Sequence, residues 1–126
     1  MVILDVAHNE DGVKQLIKQI DITAYSTLHI VFGIVKDKEA DKILSLLPSN
    51  ATYYFTKAQI PRALPEDELQ QKASSHNLNG ASFPEVNEAL KAALENSLED
   101  DLILVCGSVF LVGEVEVSGG SRPPET

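Results

Sequence analysis

The sequence predicts an α/β fold: a Rossmann-like, mostly parallel sheet with helices on both faces, in a single domain. Three observations predict it. Along the chain, continuous apolar runs alternate with apolar stripes at i, i+3, i+4, i+7. The runs show no in–out alternation, which marks strands covered on both sides, and crossover helices supply that cover. The length of 126 residues is that of one ordinary domain, enough to bury roughly two thirds of the surface of the unfolded chain.

Residues 2–6 are apolar except for Asp5 and read as a buried first strand. Val13, Leu16, Ile17 and Ile20 then form a helical stripe. Residues 28–32 give the second strand, stopped at Gly33, and Ala40, Ile43, Leu44 and Leu47 give a second helix ended by Pro48. Residues 51–55 are rich in β-formers and give a third strand. Pro65 suits the first turn of a third helix, where Glu66, Asp67 and Glu68 favour the positive end of its dipole. Leu69 and Ala73 would be its buried face. A turn over residues 77–80 leads to a short strand within residues 78–82. Pro84 opens a fourth helix with Val86, Ala89, Leu90, Ala93 and Leu94 on one face. Residues 102–106 form the last strand, and residues 109–113 a short helix. The domain therefore covers residues 1–117. Residues 118–126 turn to Gly, Ser, Pro and Glu, with no apolar anchor, and are expected to be a disordered tail.

Composition narrows the function classes. The net charge of −9 repels phosphate backbones and anionic membranes, so neither nucleic acid nor a lipid surface is expected as a partner. A local nucleotide pocket is untouched by that argument. No apolar run approaches the ~20 residues that span a bilayer. No basic segment precedes residues 1–4, so no secretory leader is expected. Cys106, the one cysteine, sits in an apolar run and reads as a packed thiol in a cytoplasmic protein. His29 and His76 lack metal-ligand spacing, and no metal site is expected. Residues 99–101 (Glu-Asp-Asp) read as a solvated turn. Neither a Gly-x-Gly-x-x-Gly nor a Gly-x-x-Gly-Lys-Thr phosphate loop occurs.

In a parallel sheet, ligands bind beyond the carboxyl ends of the strands. The segments there are residues 5–11, 33–38, 56–62 and 107–108. Asp5 ends an apolar strand and needs a partner, since an unpaired buried carboxylate costs several kcal/mol. Loop amides, a cation or a ribose diol would each serve. His8 and Asn9 stand at the following helix start, where amides point outward. Asn9 or Asp11 as a simple helix cap is an equally open reading. Gly33 lets the chain leave its strand, and Asp37 is a good helix cap. Lys38 is either a phosphate or carboxylate contact or a solvated lysine. Arg62 offers a rigid fork for a carboxylate or phosphate, or pairs with an acid such as Glu66. Gly107 and Ser108 present amides and a hydroxyl, which suit a carboxylate or phosphate, or else a plain serine cap.

Four motifs now occur in order: Asp5-Val-Ala-His8-Asn9, Gly33-Ile-Val-Lys-Asp37-Lys38-Glu39, Pro61-Arg62-Ala63, and Gly107-Ser108-Val-Phe-Leu-Val-Gly-Glu114. Together, across residues 2–116, they resemble the carboxy-terminal domain of folylpolyglutamate and dihydrofolate synthases, the folate branch of the Mur ligase superfamily. Two positions differ from that branch: Glu10 stands where Pro is common, and Glu39 where Asp is common. The resemblance implies that Asp5 binds the nucleotide ribose and that His8 lies near the phosphates and the reaction centre. It implies that Gly107 and Ser108 lie near the incoming glutamate, with Ser108 needed for activity. Arg62 and Lys38 become substrate contacts on the cleft wall.

The reaction so implied is ATP-dependent amide ligation. A carboxylate of folate, of its glutamate tail or of dihydropteroate is phosphorylated, and the amino group of L-glutamate attacks the acyl phosphate. ATP and Mg2+ would serve the complete enzyme, whose amino-terminal ATP-binding domain carries the phosphate loop. That loop is absent from this sequence, so the chain reads as an excised or truncated domain, monomeric, holding no cofactor tightly and inactive alone. Two alternatives stand beside this reading: the matching domain of a cell-wall or cyanophycin ligase, and a stand-alone binding module.

Overall fold

The computed structural model describes residues 1–36 and 39–115. Lys38, Asp37 and the expected tail lie outside the described residues. Five parallel strands form one sheet in the order β1-β5-β2-β3-β4. They are β1 (Val2–Leu4), β2 (Leu28–Phe32), β3 (Thr52–Phe55), β4 (Gly80–Ser82) and β5 (Leu102–Cys106). The helices are α1 (Glu10–Asp21), α2 (Ala40–Leu46), α3 (Glu66–Ser74), α4 (Val86–Asn96) and α5 (Val109–Gly113). The α/β class, the parallel sheet and the helices on both faces are as the sequence predicts.

Two apolar layers hold the sheet. On one face α1, α2 and α3 bring Val13, Leu16, Ile20, Ile43, Leu44, Leu69 and Ala73 against Ile30, Phe32, Tyr53, Phe55, Leu102 and Leu104. On the other, α4 and α5 bring Val86, Ala89, Leu90, Ala93 and Leu111 against Val31, Tyr54, Ile103 and Val105. Every residue of β2 and β5 is buried, as expected of strands covered on both faces. The weakest strand in the sequence, β4, pairs with β3 through Tyr53↔Gly80 to Phe55↔Ser82. Before it, Asn77 adopts φ 62°. Its amide donates to Ser74, and that of Leu78 donates to Ala73, closing α3 with a Schellman turn.

The first strand departs from expectation. It is an edge strand, not a buried one, and Val2, Leu4 and Val6 are each 41–51 % exposed. Its inner face packs through Ile3 on the α1 layer. Among the described residues no helix covers its outer face, because α4 runs over β2, β3 and β5. Leu94, expected on the buried face of α4, is 38 % exposed. Among the described residues no helix is long and apolar enough to cross a membrane.

Candidate active site at the β1/β5 crevice

The strand order fixes where a crevice can open. Neighbouring β1 and β5 send their helices to opposite faces, α1 to one apolar layer and α5 to the other. Such a parting at adjacent carboxyl ends is the topological switch point of a parallel sheet. The loop after β1 and the turn after β5 meet there, joined by the Gly107 amide donating to the Ala7 carbonyl at 3.0 Å. Gly107 has φ 112°, a conformation that glycine adopts freely. A Cβ there would strike the Gly33 carbonyl, so the exits of β5 and β2 pack backbone to backbone.

His8 stands at the crevice. Its Nδ1 lies 3.0 Å from the Val6 carbonyl. A carbonyl only accepts, so Nδ1 carries the hydrogen and donates, and the ring is fixed by its own loop. Asn9 caps α1, its Oδ1 accepting from the Gly12 amide at 2.8 Å. Asp5 accepts the Ala7 amide on Oδ1 at 2.8 Å, and its backbone amide donates to Val105 at 3.0 Å. Ser108 is buried and caps α5, with Oγ accepting from Phe110 at 3.1 Å and Leu111 at 3.4 Å. The local readings of Asn9, Asp5 and Ser108 are therefore all realised. Among the described residues they leave the second Asp5 oxygen and the Ser108 hydroxyl hydrogen for other work.

Arg62 reaches the same place from β3. Its carbonyl accepts from the Lys36 amide at 2.7 Å, and Leu64 donates to Ile34 at 2.9 Å, so the loop lies against the exit of β2. Glu66 pairs with Lys57 at 3.8 Å. His8, Arg62, Gly107 and Ser108 thus line one cavity of about 170 Å³, closed by Val35, Val109 and Phe110. Asp5 lies on a second, shallower hollow of about 330 Å³ with Ala7, Asn9, Gln15 and Gln19. His8 belongs to both. The structure therefore gathers four of the six candidate residues in one cavity and puts Asp5 in the adjoining one. Lys38 lies outside the described residues.

Sequence reasoning missed the apolar walls Val35, Val109 and Phe110. Val35 stands in the loop after the second strand, and Val109 and Phe110 in the short last helix, where apolar residues read as packing; a large aromatic two residues beyond Ser108 was the one available signal. It also misjudged Asp101. This residue is buried, not part of a solvated turn. Its Oδ2 accepts from His29 Nε2 at 2.9 Å and from the Leu98 amide at 3.0 Å. On the other side, His29 Nδ1 meets the Tyr54 hydroxyl at 2.9 Å. The Leu98 amide, then His29, hold the Asp101 carboxyl below the usual aspartate range. A hollow of about 440 Å³ adjoins this network. Leu102, which opens β5, lines it, so it lies at the amino end of the sheet, away from the crevice. Cys106 is buried beneath the crevice, where burial and then the Asp5 charge push its thiol up to about 12. It is a packing residue, not a nucleophile.

The family profile described as Mur ligase, glutamate ligase domain, matches residues 1–109. The chain belongs to that Mur ligase family. The dihydrofolate synthase/folylpolyglutamate synthase of Buchnera aphidicola subsp. Schizaphis graminum is 34 % identical over 115 residues, covering 90 % of this chain and 27 % of the relative. Among solved structures, E. coli FolC in complex with ADP superposes with a TM-score of 0.79 at 30 % identity, over 88 % of this chain and 26 % of that one. The bifunctional folylpolyglutamate synthase/dihydrofolate synthase with Mn, AMPPNP and L-glutamate bound gives a TM-score of 0.77 at 25 % identity, over 88 % and 27 %. This Mur ligase domain thus spans about a quarter of the length of these relatives. Among its described residues, no three His, Cys, Asp or Glu side chains gather to hold a metal ion.

Proposed function

We propose that this domain forms one wall of the active site of an ATP-dependent folylpolyglutamate synthase, which also accepts dihydropteroate if the parent enzyme is bifunctional. The wall is completed by an amino-terminal ATP-binding domain of the same polypeptide. The observation that carries the reading is the cavity at the switch point. A histidine, an arginine and the Gly107–Ser108 turn line it together, a set suited to an amino acid carboxylate or a phosphoryl group. The relatives are folylpolyglutamate and dihydrofolate synthases, and solved examples hold ADP, or AMPPNP with Mn and L-glutamate.

In this reading Arg62 and Ser108 hold the L-glutamate carboxylate, with Lys38 a further contact on the wall. His8, with its ring fixed through Nδ1, turns Nε2 to the phosphate side. Asp5, oriented by the Ala7 amide, accepts from the ribose hydroxyls in the adjoining hollow. ATP supplies the phosphoryl group that activates the folate-side carboxylate, and Mg2+ is held by the other domain. This domain then works by positioning and by charge stabilisation at a closed interface. The domain extends over residues 1–117, is monomeric and acts in the cytoplasm.

A chimera tests the reading. This chain replaces the matching domain of the E. coli enzyme, and glutamate-dependent phosphate release is measured. The chimera should be active, and His8→Ala should lower kcat on the order of 10²-fold, as removal of a donor aimed at developing charge does. Asp5→Ala should raise the KM for ATP. Full activity in both variants would remove the assignment.

A further inference from the structure

We propose that Glu114 is a positioning residue, whose carboxylate sets the distance between Arg62 and Ser108 across the cavity. The identity of the substrate rests on the ligase reading above, whereas the tie itself is geometric. The Gln59 backbone amide donates to Glu114 Oε2 at 2.8 Å. The Gln59 side-chain amide donates to the Pro84 carbonyl at 2.7 Å and to the Lys57 carbonyl at 3.3 Å. Asn87 Nδ2 donates to the carbonyl of Glu114 itself at 2.9 Å. Three segments distant in sequence therefore meet at Gln59 and Glu114: the loop after β3, the start of α4 and the end of α5.

The consequence for the cavity follows from the spacing. Gln59 is three residues before Arg62, and Glu114 is six residues after Ser108, at the far end of α5. The stretch beyond Gln59 is held at its other end by Lys36 and Ile34, which bond Arg62 and Leu64. The loop bearing Arg62 is thus held both on the exit of β2 and on α5. The bond to Glu114 refers Arg62 to the helix that starts at Ser108. A carboxylate accepting a backbone amide makes a stronger bond than a neutral pair. This bond is exposed to solvent, so its loss should move the loop far more than it moves global stability. That contrast separates positioning from a merely structural role.

The experiment compares wild type, E114A and E114Q. In the isotopically labelled chain, hydrogen exchange at the Gln59 amide should quicken about tenfold in E114A, with Tm within about 2 °C of wild type. In the chimera, E114A should raise the KM for L-glutamate about fivefold, with kcat within about twofold, as expected for a loss of uniform binding. E114Q keeps an acceptor oxygen without the charge and should restore most of both values. Unchanged Gln59 exchange in E114A would overturn the tie, and an unchanged KM in an active chimera would overturn its positioning role. A wild-type chimera without glutamate-dependent phosphate release removes the ligase reading and its substrate. Faster Gln59 exchange in E114A would support the tie even then.

Discussion

At Gly107 the backbone admits no side chain. Its φ is 112°, and an added Cβ would meet the Gly33 carbonyl. Gly107→Ala should therefore cost about 1–3 kcal/mol from backbone strain alone, read as a lower urea midpoint, and should also displace Ser108. A midpoint equal to wild type would show that the turn relaxes freely. Cys106 makes the opposite kind of case, a reactive residue type made inert by its surroundings. Burial raises its thiol to about 12, so the folded chain should resist a thiol reagent at pH 8 and react only once unfolded. Labelling at equal rates with and without urea would contradict this. Raised values also carry a sign: as pH rises past about 8.5, the unfolded thiol ionises while the folded one does not, and stability falls. The polar residues were legible in kind from sequence, because a carboxylate or serine beside an apolar run must find partners. Which partners they find was not. Asp5, Asn9 and Ser108 each satisfy a local backbone amide and still face the crevice. The two readings that the sequence left open are thus compatible for Asp5 and Ser108.

At the scale of elements, the sequence shows period and length but not position in the sheet. The run at residues 2–6 looks like that at residues 102–106, yet β1 is a half-exposed edge and β5 a buried centre. The difference arises because the chain returns through α4 and inserts β5 between β1 and β2, a long-range event with no local signature. The same insertion joins His29 on β2 to Asp101, at the start of β5, across 72 residues. His29 in an apolar strand was a signal that a partner must exist, but nothing nearby in sequence identified it. This pair makes a prediction about acid. The Asp101 value is lowered in the folded state, so its contribution is fully present above the unfolded value of about 3.9. It is lost as pH falls through the lowered folded value. The urea midpoint should drop on acidification below about pH 4, and Asp101→Asn should flatten that part of the profile. An identical acid slope in the variant would assign the effect to other carboxylates.

For the whole molecule, the question is what a domain with a formed crevice can do alone. Its fold brings His8, Arg62, Gly107 and Ser108 to one cavity, because the switch point lies between its first and last strands. The same chain lacks a phosphate-loop motif, and among the described residues no cluster of acids and histidines gathers to hold a metal ion. A triphosphate needs an amide cradle, a lysine and a divalent cation to offset its charge. What the domain offers is a histidine, a guanidinium and a carboxylate, under a net charge of −9 that opposes a polyanion at long range. Polar contacts in an open half-cleft also compete with water at high dielectric and are worth little each. The isolated 126-residue chain should therefore bind ADP weakly, with Kd above about 1 mM, or roughly 4 kcal/mol of binding free energy. It should release no phosphate from ATP. Amide shifts produced by ADP at high concentration should cluster at Asp5, His8 and Gly12 instead of the hollow beside Met1 and Glu99. On the proposed function, joining the chain to the remainder of the E. coli relative should produce glutamate-dependent phosphate release. If the purified chain alone turned over ATP, and His8→Ala abolished that turnover, the domain would be a complete enzyme and the two-domain reading would fail.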